Sequence, residues 1–235
     1  MERRRVSRTI LIVMTLALPA LAPLALAGPP LVCHPFDIGS AKSLPWGGGT
    51  SFGDWNKTWS DYDTKQLTED TLALLADSTP VIVRMETIRR AALYGAKDRQ
   101  AGKELLIRLG ARADEGKAGK ANPLFVFDYG YLIETMKQAS LTREADKGPS
   151  PTGLLDGYAY IQRALAMRGN DPEMEFAAAI VSAWPKREQH RQHFRKAVAG
   201  AAGDSILIQN LVSHFSDQGS NLAELRAKAA LADHK

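Results

Sequence analysis

Residues 79–113 read TPVIVRMETIRRAALYGAKDRQAGKELLIRLGARA, and their spacing decides the fold class. Thr79-Pro80 is a helix-opening pair: a hydroxyl for the cap, then a ring already held at helical φ. Val81, Met85, Ile88 and Ala92 then recur on one face of a 3.6-residue period, which predicts a helix stopping near Gly95. Asp98 opens a second helix with Ala101, Leu105, Leu109 and Ala113 in line.

The same grammar extends in both directions. Upstream, Asp63 caps a helix carrying Leu67, Leu74 and Leu75. Downstream, Glu115 to Ala121 is a Gly/Lys-rich loop, and Asn122-Pro123 repeats the cap-then-proline signal before Phe125, Tyr129, Leu132 and Met136. Residues 143–153 form another loop. Leu155, Tyr158, Ile161, Leu165 and Met167 mark a helix broken at Gly169, and Asp171-Pro172 starts the next, through Phe176, Ile180 and Trp184 to Pro185. Residues 186–200, 204–217 and 220–233 complete the set. No run of alternating β-branched residues occurs, so no sheet is expected. The reading is all-α: about nine helices of roughly 12–20 residues, arranged as stacked hairpins in an α-solenoid or an irregular bundle.

One stretch adds a resemblance. GYAYIQRALAMRGNDPEMEFAAAIVSA (157–183) is similar to tetratricopeptide-repeat helices. Ile161 and Ala164 stand three apart like the large-then-small pair of the second repeat helix, and Asp171-Pro172-Glu173 resembles the start of the next unit. Gly169 stands where the repeat's proline would be. The resemblance implies stacked helix pairs and a protein- or peptide-binding role.

Two segments precede the helices. Residues 1–27 combine a basic start (Arg3, Arg4, Arg5, Arg8), an apolar run from Ile10 to Leu26 and an Ala25-Leu26-Ala27 cleavage site, the layout of a secretory signal peptide. The apolar run is shorter than the roughly 20 residues of a membrane span and holds Pro19 and Pro23. The chain is therefore expected to be exported, periplasmic or extracellular, with no stable membrane span after cleavage. Without the four arginines and Glu2 of this segment, the remainder carries 26 basic and 25 acidic residues. That near balance argues against a nucleic-acid partner, which wants a basic footprint on the folded domain.

Residues 28–62 are rich in Pro and Gly and hold Trp46, Trp55 and Trp59, three of the four tryptophans. No helical period runs through them, so they read as ordered coil, with turns at Pro45 to Gly49, lying against the helical region 63–235. Three wet tryptophans would be costly. Cys33 is the only cysteine, which excludes an intramolecular disulfide and leaves a free thiol, a cross-link between chains, or a buried apolar group.

The chemistry-bearing motifs are few. Phe125 to Tyr131 (FVFDYGY) embeds Asp128 among aromatics, and with Tyr129, Tyr131, Trp46, Trp55 and Trp59 it sketches a sugar or amine pocket. Glu188-x-His190-x-x-His193 has metal-ligand spacing, but Lys186, Arg187, Arg191, Arg195 and Lys196 would repel a divalent cation, so a solvated basic helix is expected and no metal centre. Cys33-His34 lacks the second cysteine of a haem signature. Phosphate loops, nucleophile elbows and paired CxxC motifs are absent, and no catalytic residue or cofactor is indicated. Two functions follow. The first is a non-enzymatic helical protein that binds a peptide or partner protein; the second is a small-molecule or carbohydrate binder or enzyme, with its pocket near Asp128 and the tryptophans. Oligomeric state is open.

Overall fold

A computed structural model describes residues 30–48, 55–115, 121–141, 151–169, 171–183, 189–203 and 205–231. Residues 1–27, for which a signal peptide is expected, and Trp184-Pro185 and Glu188 lie outside the described residues. Within them the structure is all-α, with no strand. The helices are α1 (Pro30–Cys33), α2 (Leu67–Leu74), α3 (Val81–Lys97), α4 (Arg99–Asp114), α5 (Pro123–Leu141), α6 (Gly157–Arg168), α7 (Pro172–Ala183), α8 (His190–Gly200), α9 (Ser205–His214) and α10 (Leu222–Leu231), with a 3-10 turn at Thr64–Gln66 before α2.

The caps account for most of these boundaries. Asp98 accepts from the Gln100 and Ala101 amides, Asn122 from Leu124, and Asp171 from Glu173 and Met174. Pairing is mostly between neighbours in the chain: α3 with α4, α5 with α6, α7 with α8, while α10 returns to α8. At the α5–α6 crossing the two backbones touch. A Cβ on Gly130 would sit 2.6 Å from the Gly157 carbonyl oxygen, and one on Gly157 would overlap that of Gly130.

Four expectations need correction. Pro80, not Thr79, occupies the cap position of α3, and the Thr79 hydroxyl instead donates to the Leu74 carbonyl. The helix runs past Gly95 to Lys97, because Gly95 is where α3 meets α4 at Gly102 and not a stop. Several helices are shorter than 12 residues: α2 has 8, α9 and α10 have 10 each. The coil 28–62 contains a helical turn, α1.

The largest departure concerns α3. A one-faced helix was expected, yet residues 81–89 are all buried, including Arg84, Glu86 and Arg89. The helix is enclosed by α2, α4, α5, α7 and α1. Its charged residues therefore had to find partners inside the protein.

Candidate functional site

Beyond α1, whose Leu31 is fully buried, residues 34–48 have no regular structure, yet Phe36 and Leu44 are fully buried too. A buried coil exposes main-chain groups that need partners. Helices cannot offer their own backbone, which is saturated internally, so side chains must do it.

Three helices supply them. Gln138 of α5 accepts the Leu31 N–H at 2.8 Å through Oε1, and Glu86 of α3 accepts the Phe36 N–H at 3.0 Å through Oε2. Asn210 of α9 spans both main-chain groups of Asp37. Its Oδ1 accepts the N–H at 2.9 Å, and its Nδ2 donates to the C=O at 2.8 Å. Arg89 donates to the carbonyls of Val32 (3.1 Å) and Trp55 (2.8 Å), Arg90 to that of Leu44 (2.6 Å), and the Tyr94 hydroxyl to that of Pro45 (2.7 Å). The outcome is a cradle in which helix side chains bond the backbone of a segment made of one helical turn, α1, and coil with a turn at Gly39, while its apolar side chains are buried beneath.

A buried ion cluster lies along the groove. Glu86 receives Arg89 through both oxygens, at 2.7 and 2.9 Å, and Arg90 at 2.7 Å. Burial alone would raise the Glu86 carboxyl, but these hydrogen bonds and charges outweigh it and hold it below its ordinary value. Trp46 lies over both guanidinium groups, 4.8 Å from Arg89 and 5.6 Å from Arg90, so its ring face is used within the chain.

One end of the segment is pinned by rings. His34 and His214 lie 4.5 Å apart, Phe36 stacks on His214 at 4.6 Å, and Phe176 meets His214 edge-on at 5.5 Å. Cys33 is buried beside them, the third of the alternatives open for it, and burial pushes its thiol up against the pull of Arg89.

The residues singled out around Asp128 do not converge. Asp128 is buried against Arg84 at 2.6 Å, and Arg84 also donates to the Thr79 and Ala76 carbonyls, closing the end of α2. Burial pushes the Asp128 carboxyl up to about 7 against the pull of Arg84 and Arg112. Tyr131 is buried on Phe127, and Tyr129 packs edge-on against Tyr160. Trp46, Trp55 and Trp59 gather instead around Arg89, Arg90 and Tyr94; from Arg84 to Tyr94 is about 15 Å along α3 at 1.5 Å per residue. Trp59 is 51% exposed, against expectation, because only its backbone is anchored, through the Tyr94 hydroxyl.

On α8 Arg191 and Lys196 are exposed, as a solvated basic helix requires, but the histidines turn inward. His193 is buried: Nδ1 meets Glu175 at 2.5 Å and Nε2 meets the Tyr158 hydroxyl at 2.7 Å, so both ring nitrogens are engaged. His190 turns its Nδ1 to the Ala179 carbonyl. Among the described residues no group of three metal-ligating side chains occurs, and no helix is long and apolar enough to cross a membrane.

An open cleft of about 490 Å³ lies where the start of α3 faces the α6–α7 loop and the α8–α9 connection. Its carboxylates serve the fold. Asp171 caps α7 and pairs with Arg168 at 2.6 Å, while Glu173 accepts the Ile82 N–H at 3.2 Å.

Glu86, Arg89, Arg90, Gln138 and Asn210 were not singled out from sequence. A signal did exist. Glu86 stands three and four positions before Arg89 and Arg90, and α3 carries apolar residues on every side, so its charges could not all face water. No family model, curated protein or solved structure matches this chain.

Proposed function

We propose that the chain is an exported α-helical protein that binds an extended peptide, or an extended segment of a partner protein, in the groove now filled by residues 30–48. The observation that carries this reading is the set of side chains on α3, α5 and α9 that hydrogen-bond to main-chain groups of α1 and of the coil that follows it. A site of that kind recognises backbone, with sockets for alternate apolar side chains adding selectivity, the division of labour in extended-peptide recognition. The likeness of 157–183 to tetratricopeptide helices supports the same role, as does the pairing of α5 with α6 and of α7 with α8. The alternative, a pocket built from Asp128 and the tryptophans, would need groups that contact α3 at Arg84 and at Arg89 to Tyr94, about 8 Å or more apart along the helix.

The test makes the resident segment replaceable. In a variant carrying a protease site in place of residues 49–54, the folded chain is cut and a labelled peptide of residues 30–48 is added. Saturable uptake with release of the resident segment is expected, and a peptide with Phe36→Asp should fail to compete. A cut segment that never exchanges while the helices remain folded would overturn the reading.

A further inference from the structure

We propose that the His34–His214 pair, two rings in contact across the docking interface, is a proton-operated latch that releases residues 30–48 from the groove in acid while the helical body stays folded. This deepens the peptide-groove reading and rests on the segment being separable from the body.

The geometry makes a proton unwelcome here. His214 Nδ1 faces the Asn210 carbonyl at 2.9 Å; a carbonyl only accepts, so Nδ1 carries the hydrogen and Nε2 the lone pair. Nε2 is sealed from water without a hydrogen-bond partner. Protonating it sets a charge against Phe36, Phe176 and the His34 ring; the His34 backbone and the Glu86 carboxylate favour that charge, but burial outweighs them. A second proton on His34 would set two like charges 4.5 Å apart. One of these imidazoles belongs to the segment and the other to α9, so repulsion acts across the docking interface.

The neighbouring charges do not cancel this. On the segment stand Cys33, whose thiol is uncharged, and Asp37, whose carboxylate accepts the Gly39 N–H. On α3 stands Glu86, already bonded to Arg89 and Arg90. On α7, Glu175 is taken by His193 and Lys196 of α8, and His190 of α8 lies beyond Phe215.

Burial lowers both imidazoles, His214 from 6.5 to about 3. A lowered imidazole is neutral in the docked state, so docking is at full strength above about pH 6.5 and weakens as pH falls toward 3. Each pH unit in that window raises the open fraction about tenfold.

Cys33, the only cysteine, sits in the segment and reports its release in the full-length native chain. Its modification by 4,4′-dithiodipyridine is measured at about pH 7.5 and about pH 4.5, each relative to the denatured chain at the same pH, with helicity followed by circular dichroism. Between those two pH values the one proton taken up by His214 on release predicts about a 100-fold gain in relative rate with helicity retained. His214→Phe, which keeps the stack and removes the proton site, should abolish most of that gain. An unchanged rate, a gain that survives His214→Phe, or a gain accompanied by loss of helix would each overturn the latch. A latch that passes while peptide exchange at neutral pH fails would leave the switch standing and remove the receptor role.

Discussion

Arg84 and Asp128 show how far a single buried pair determines its surroundings. Arg84 is one of the two largest fully buried side chains, and it bonds at once to α5 through Asp128 and to the end of α2 through two carbonyls. Removing one partner of a buried pair leaves the other charge uncompensated, which costs about 3–5 kcal/mol. Asp128→Ala is therefore expected to lower stability by about 3 kcal/mol, toward the lower end because two carbonyls still serve the guanidinium; the urea midpoint measures it. A loss below about 1 kcal/mol would mean that the pair holds little together. Asp128 is thus an internal tie, where the aromatic motif around it suggested a ligand pocket. The sequence shows a carboxylate among aromatics equally well in both cases. What separates them is Arg84, forty-four positions away.

At the scale of elements, helix ends were the most legible feature, because a cap is a local interaction. Asp98, Asn122 and Asp171 each bond amides two or three residues on, and sequence order alone places them. Contacts between elements were not legible in this way. Asn210 meets Asp37 across 173 positions, and the burial of Glu86 and Arg89 depends on the helices surrounding α3. Polar residues on a periodic helix are assigned to water by default, and that default fails on a helix covered on all sides. The Gly130–Gly157 crossing offers a sharp test, since propensity and packing there predict opposite signs. Alanine at Gly157 would gain up to about 1 kcal/mol as a helix former. Its Cβ would overlap the Gly130 carbonyl and lie 2.8 Å from Glu134 Cγ, in a helix pair with no room to separate cheaply. Gly157→Ala should therefore lower the melting temperature, with a net loss of about 2 kcal/mol. A rise would show that the helices can part.

At the scale of the whole molecule, the proposed function treats the chain as a helical body with a segment bound to it. The two are joined by side-chain-to-backbone bonds, by buried apolar side chains and by the His34–His214 ring contact. A segment held in this manner should open on its own, at a lower free energy than the helices beneath it. Native-state hydrogen exchange on the full chain reads this directly, through the amides of Leu31, Phe36 and Asp37 set against those of α3. The account predicts that the three segment amides are protected far beyond those of a free peptide, yet open at a lower free energy than Met85 to Ala92. Equal opening free energies in segment and α3 would contradict it, because the segment would then be an inseparable part of one core; unprotected segment amides would contradict it as well.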